Sequence, residues 1–178
     1  LLNALVGRRI AKTAGTPGKT RALNVFLIPG LGAGGWGPGN DARAPRPQPL
    51  APLYFLDLPG YGYARAGRTQ RASFRRLLHH ALRRERLRGV VWLLDIRREP
   101  SADDWTMHEL LVAQETGVLA ALTKADKLTR GQQVARMAAL REGLQLPEDQ
   151  VIVTSVKTGE GIVALKEAIG AVIHKAEA

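Results

Sequence analysis

Two short words in this sequence place a carboxylate on a turn immediately after an apolar run. Asp57-Leu58-Pro59-Gly60 follows Leu53 to Leu56, and Thr123-Lys124-Ala125-Asp126 follows Val118 to Leu122. A carboxylate held on a rigid turn accepts two hydrogen bonds at once, and the N1 and N2 edge of guanine offers such a pair where adenine does not. Asp126 is the candidate for that contact. Lys124 can lay its aliphatic stem along the base plane while its ammonium stays hydrated. An Asn/Thr-Lys-x-Asp match arises by chance in roughly 4% of chains this size, and an Asp-x-x-Gly match in roughly two of five, so the first word carries most of the weight.

Asp57 has two readings. In one it is an ordinary turn carboxylate. In the other it makes a water-bridged contact to a magnesium ion, and the Gly60 amide meets a terminal phosphate where any side chain would obstruct the approach. Thr154-Ser155-Val156-Lys157 closes the last apolar run, which puts its backbone within reach of the purine O6. Alone it means little. The set gains weight from its order, with a threonine turn at Thr20, then Asp57 to Gly60, Thr123 to Asp126 and the serine loop, all expected at one edge of one sheet.

The elements that must position these residues are legible as alternating strands and helices. Leu23 to Ile28, Leu53 to Leu56, Val90 to Leu94, Val118 to Leu122 and Val151 to Val153 read as buried strands. Phe74, Leu77, Leu78, Ala81 and Leu82 share one helical face, as do Ile162, Leu165, Ile169 and Val172. The alternation predicts an α/β fold, a mostly parallel sheet with helices on both faces and a ligand site at the strands' carboxyl ends. The first two strands have no helix between them and are expected to pair antiparallel. The stretch that joins them, 29–52, is rich in glycine and proline and reads as a disordered insertion. Within it, Gly30 to Gly35 matches the dinucleotide fingerprint, but Trp36-Gly37-Pro38-Gly39 follows and no helix can start there, so the match is read as false.

With 178 residues and 45% hydrophobic content, the chain fits one domain, 1–178. The net charge of +10 points to an anionic partner, nucleic acid first. The absence of cysteine excludes disulfides and thiolate metal sites. No apolar run is long enough to span a bilayer and no leader is evident at Leu1, so a cytoplasmic protein without a membrane partner is expected.

Several longer words carry a family resemblance: Leu1-Leu2-Asn3-Ala4-Leu5, Thr16-Pro17-Gly18-Lys19-Thr20, Asp57-Leu58-Pro59-Gly60-Tyr61-Gly62-Tyr63-Ala64, Leu94-Asp95-Ile96-Arg97 and Leu122-Thr123-Lys124-Ala125-Asp126-Lys127-Leu128. Together they resemble the EngB (YihA/YsxC) family of bacterial GTPases, in the TrmE-Era-EngA-EngB-Septin-like class, over nearly the whole chain outside 29–52. The resemblance implies a three-layer P-loop GTPase-like (Ras-like) fold and binding of GTP or GDP with Mg2+. It also implies a monomer acting in large ribosomal subunit assembly, on a pre-50S particle and its rRNA, with a role in division septum formation. Carried over by residue, Thr20 ligates magnesium from the first switch, with Gly18, Lys19, Arg21 and Ala22 near the nucleotide. Asp57, Leu58, Pro59 and Gly60 form the second switch. Thr123, Lys124, Ala125, Asp126, Thr154, Ser155 and Val156 hold the base.

The family places a phosphate loop, G-x-x-x-x-G-K-S, and the mid-sheet strand that feeds it just before the Leu1-Leu2-Asn3-Ala4-Leu5 word. This sequence starts at that word, so the expectation is a domain lacking its first strand and phosphate loop. Losing a lysine and three amides removes on the order of 6–12 kcal/mol of charge-assisted hydrogen bonding, so GTP binding weaker than micromolar is expected by titration calorimetry. GTPase activity is therefore left open. Tyr61 occupies the place of the water-orienting glutamine of many small GTPases, which implies slow turnover assisted by a partner and names no general base.

From Arg65 through Arg68, Arg71, Arg75, Arg76, Arg83, Arg84 and Arg86 to Arg88 the chain is dense in arginine. A solvated helix surface and a ribosomal RNA contact are equal readings, and the second is the rival function: an RNA-binding module that no longer uses nucleotide. His79 and His80 have no metal-ligating company and should face solvent or flank the packing face. Trp92 and Trp105 read as core or interface residues.

Overall fold

Branched and aromatic runs become strands where the sequence places them, but not all are buried as expected: in Asn24–Ile28 only Ile28 is, and Val25 and Leu27 are exposed. A computed structural model of the chain describes residues 1–12, 23–28, 53–60, 68–114 and 116–175. The strands are β1 (Asn24–Ile28), β2 (Leu53–Asp57), β3 (Val90–Asp95), β4 (Val118–Thr123) and β5 (Val151–Val153). The helices are α1 (Leu2–Val6), α2 (Arg68–Leu82), α3 (Ala102–Val112), α4 (Arg130–Gly143) and α5 (Ile162–Lys175). The glycine- and proline-rich stretch 29–52, including the Gly30 to Gly35 match, lies outside the described residues.

β4 organises the packing. It pairs parallel to β3 on one side and to β5 on the other. Side chains of a strand alternate between faces, so its two sets of residues feed two cores. Ala120 and Leu122 join Leu78 and Leu82 of α2, Trp92, Leu94 and Ile96, Met107 and Leu111 of α3, and Leu140 with Leu144 around α4. Leu119 and Ala121 join Leu5 of α1 and Ile162, Leu165 and Ile169 of α5. This is the three-layer arrangement expected of a parallel sheet. Ala120, Ala121 and Leu122 are fully buried, as the unbroken apolar run Val118 to Leu122 requires.

β1 and β2 pair antiparallel, as the missing crossover helix predicts, with Asn24 opposite Asp57 and Ile28 opposite Leu53. The single continuous sheet expected from the sequence is not what forms among the described residues. Two sheets form instead, β1-β2 and β3-β4-β5, with no ladder between β2 and β3. Side-chain packing bridges them: Phe55 of β2 and Val91 of β3 meet the same α1/α5 core, and Leu58 meets the α2 core.

The helix starts beside the site are locally encoded. Ser101 and Asp104 form a reciprocal capping box at the head of α3, and Thr129 and Gln132 form another at the head of α4. Trp92 is buried, as expected, and stacks on His108. Trp105 is 42% exposed, its edge against the His108 ring, so it lies outside the core. His79 and His80 are exposed on α2. Among the described residues no helix is long and apolar enough to cross a membrane.

Candidate functional site

β4 ends at Thr123, and the chain turns at once through Lys124 into a single 3-10 turn, Ala125–Lys127. Lys124 adopts a left-handed conformation, φ 65°, which an L residue holds only when its neighbours are fixed. Three contacts fix them. Thr123 Oγ1 donates to the Leu94 carbonyl of β3 at 2.9 Å. The Ala125 N–H donates to the Thr154 carbonyl at 3.2 Å. Gln133 of α4, itself buried, donates Nε2 to the Ala125 carbonyl at 3.0 Å. The turn is thus tied to the strand before it, the loop after it and the helix beneath it.

Asp126 is held by its side chain as well. Ser155 Oγ donates to Asp126 Oδ1 at 2.9 Å, and Lys127 Nζ lies 3.4 Å from Oδ2. The serine hydroxyl first, and the lysine after it, depress the Asp126 pKa below the usual carboxylate value, so the group is an anion that accepts hydrogen bonds. Each carboxylate oxygen has more than one acceptor lobe, and one contact apiece leaves capacity for two donors from a ligand.

Ser155 is fully buried, and a loop that folds back on it sets its position. Its N–H donates to the Glu160 carbonyl at 2.9 Å, and its own carbonyl accepts from the Gly159 N–H at 2.9 Å. The loop closes at Gly161, φ +68°, where a Cβ would overlap the Val153 carbonyl oxygen. Thr154 is buried beside it, and Val156 is exposed at the rim.

A second carboxylate stands at the same edge, at the end of β3. Asp95 is opposite Thr123 in the ladder. Its oxygens take a bidentate pair from Arg97, Nε at 2.8 Å and Nη2 at 2.7 Å, and Lys124 Nζ at 2.9 Å. The Arg97 hydrogen bonds hold the Asp95 carboxyl far below its ordinary range against the opposing effect of burial, with Lys124 adding to them. Arg136 of α4 secures the loop that follows by donating to the Ile96 carbonyl at 3.0 Å and the Arg98 carbonyl at 2.6 Å, and by pairing with Glu99. Asp95 was legible only as part of the word Leu94-Asp95-Ile96-Arg97. The signal that could have singled it out is the one that flagged Asp57, a carboxylate directly after an apolar strand.

The structure therefore brings Thr123, Lys124, Ala125, Asp126, Thr154 and Ser155 into one hydrogen-bonded unit. Asp57 ends β2 in the other sheet, half-buried, with Leu58 and Pro59 half-buried and Gly60 exposed after it. Gly18, Lys19, Thr20, Arg21, Ala22 and Tyr61 lie outside the described residues. Among the described residues there is no group of three or more His, Cys, Asp or Glu side chains that could hold a metal ion.

Solved structures share this arrangement. Era of Aquifex aeolicus, crystallised with GDP and aluminium fluoride, superposes with a TM-score of 0.70 at 16% identity, over 96% of this chain and 51% of that one. The fold is that of the P-loop GTPase class, an α/β domain with helices on both faces of a parallel sheet. A crystal structure of a probable GTP-binding protein EngB superposes with a TM-score of 0.61 at 19% identity, over 68% of this chain and 77% of that one. A family model described as 50S ribosome-binding GTPase matches residues 1–124. A probable GTP-binding protein EngB of Syntrophomonas wolfei is 39% identical over 171 residues, 95% of this chain and 77% of the relative. The chain belongs to the EngB family of GTP-binding proteins.

Proposed function

We propose that this protein binds guanine nucleotide through Asp126, with Lys124 along the base and Thr154, Ser155 and Val156 around the purine O6, and that it acts in assembly of the large ribosomal subunit. The observation that carries the first part is the Asp126 carboxylate, ionised and aimed by Ser155 on a turn pinned from three sides. Acceptors that are already oriented cost a ligand less to engage than mobile ones. The ribosomal part draws on the family description, 50S ribosome-binding GTPase. The role in septum formation accompanies the resemblance, and a cytoplasmic location follows from a ribosomal partner.

Magnesium enters this reading through Thr20 and, across a water, Asp57, with the Gly60 amide and Gly18, Lys19, Arg21 and Ala22 on the phosphate side. When bound, the ion neutralises phosphate charge. The domain reading is a single guanine-nucleotide-binding unit interrupted by the stretch 29–52.

Base reading is tested by Asp126→Asn. The amide replaces one acceptor by a donor, so competition assays with fluorescent guanine nucleotide should show preference moving from GDP to XDP, because xanthine presents an acceptor where guanine presents its amino group. An unchanged GDP preference sinks the assignment. Sedimentation with purified large ribosomal subunits tests the partner, and no co-sedimentation with or without a GTP analogue overturns it.

A further inference from the structure

Among the described residues, two groups of arginines differ in their surroundings. Arg97, Arg130, Arg136 and Arg141 each lie within ion-pair distance of a carboxylate, Asp95, Glu160, Glu99 and Glu148 respectively. Arg75, Arg76, Arg83, Arg84 and Arg86, on α2 and the turn after it, are all exposed, and none of them pairs with an acid among the described residues. The one side-chain hydrogen bond in this group runs from Arg76 to Ser73 Oγ at a long 3.5 Å. His79 and His80 stand exposed between them.

Helix geometry aligns these groups. An advance of four residues rises about 6 Å along the axis and turns the side chain by only about 40°. Arg75, His79 and Arg83 therefore form one row with Arg76 and His80 beside it, and Arg84 follows just past the helix end. The Arg83 N–H to the His79 carbonyl, at 3.1 Å, carries the helical course past Leu82. The opposite face holds Phe74, Leu78 and Leu82, packed in the core. Exposed guanidinium groups gathered along one side of a helix, left without acidic partners among the described residues, fit a rod of fixed negative charge.

We infer that the outward face of α2, with Arg83, Arg84 and Arg86 at its end, is a docking surface for the phosphate backbone of double-helical RNA. A membrane surface fits less well, since an interfacial helix needs its apolar side free to enter the lipid and that side of α2 is spent in the core. Single-stranded RNA is recognised by stacking bases on aromatic rings, and the segment from Ala72 to Arg88 has no Trp or Tyr and holds its Phe74 half-buried against the core, leaving only the small imidazoles of His79 and His80 exposed. Backbone contacts to a duplex need only cations at the right spacing. The choice of RNA over DNA rests on the proposed ribosomal role.

The test uses the full chain and a generic 5′-labelled RNA duplex of about 20 base pairs, with binding followed by fluorescence anisotropy from 50 to 200 mM salt. The variant Arg75→Gln/Arg83→Gln/Arg84→Gln removes three contacts, which should reduce the fall in affinity over that salt range by about fortyfold, from a slope of about 0.9 per phosphate. Arg130→Gln/Arg141→Gln, which removes paired arginines elsewhere, should leave the slope as it was. Circular dichroism melting confirms that each variant folds. Should the triple variant keep the wild-type slope, or should anionic phosphatidylserine vesicles or polyglutamate bind as tightly as the duplex, the surface is not an RNA site. Large-subunit binding that survives in the triple variant while duplex binding is lost or absent overturns the use of this face on the ribosome and leaves the ribosomal role standing.

Discussion

Ser155 and Asp126 are 29 residues apart in sequence, and the hydroxyl of the first donates to Oδ1 of the second at 2.9 Å. The bond does more than orient a carboxylate. It is the largest of the influences that lower the Asp126 pKa, so it also sets how far into acid the group stays able to accept. Its position depends on the loop Thr154 to Gly161 and on the Ala125 to Thr154 backbone bond, which makes the placement of the Asp126 carboxylate a property of two strand ends acting together.

Replacing the serine separates these effects. In Ser155→Ala the carboxylate loses a hydrogen bond to an ionised group, and guanine nucleotide should bind about tenfold more weakly at neutral pH. The sign of the pH effect follows from the depressed pKa. With the serine gone the Asp126 pKa rises, so the loss of binding on acidification should set in at higher pH than in the wild type. Dissociation constants measured from pH 3.5 to 7, roughly spanning the carboxylate range, check this. Coincident acid limbs would show that the hydroxyl does not act on the carboxylate.

Asp95 links Arg97 and Lys124 at the end of β3. Its folded pKa is depressed, so its contribution to stability is present above the unfolded value of about 3.9 and is lost as pH falls below it. Asp95→Asn should be less stable than wild type by about 1 kcal/mol at pH 7, the scale of a solvent-screened ion pair with bidentate geometry. The gap should close progressively as acid protonates the wild-type carboxyl. Urea unfolding at neutral pH and again well below pH 4, roughly the unfolded carboxyl pKa, measures both arms. A gap that persists in acid would mean the residue acts through packing and not through charge.

Gly161 is the point where the serine loop meets β5. Its φ of +68° and the overlap a Cβ would make with the Val153 carbonyl oxygen both oppose any side chain. Gly161→Ala should cost about 1–3 kcal/mol and weaken nucleotide binding, because moving that backbone moves Ser155. Gly159 also has a positive φ, +82°, but open space around it, so Gly159→Ala should cost less. Denaturant midpoints of the two variants rank them, and equal losses would remove the steric part of the argument.

Much of the fold was legible from residue order alone. The strand Val118 to Leu122 announced itself as an apolar run buried on both faces, and β4 is the strand from which both cores grow. Thr123 to Asp126 was legible as a turn because a charged word directly after such a run has to leave the sheet. The antiparallel pairing of β1 with β2 followed from the lack of a crossover helix between them.

What only the tertiary structure decided is which distant groups share an edge. Nothing in the spacing from Asp95 to Lys124, from Thr154 to Ala125 or from Arg136 to Ile96 says that they touch. Those contacts exist because parallel strands return to the same edge only after a helix has carried the chain back. Among the described residues, the separation of the strands into two sheets and the pairing of Arg97, Arg130, Arg136 and Arg141 with acids were decided in the same way. A sequence lists which groups can pair, and the packing of helices on both faces of β4 determines which of them meet.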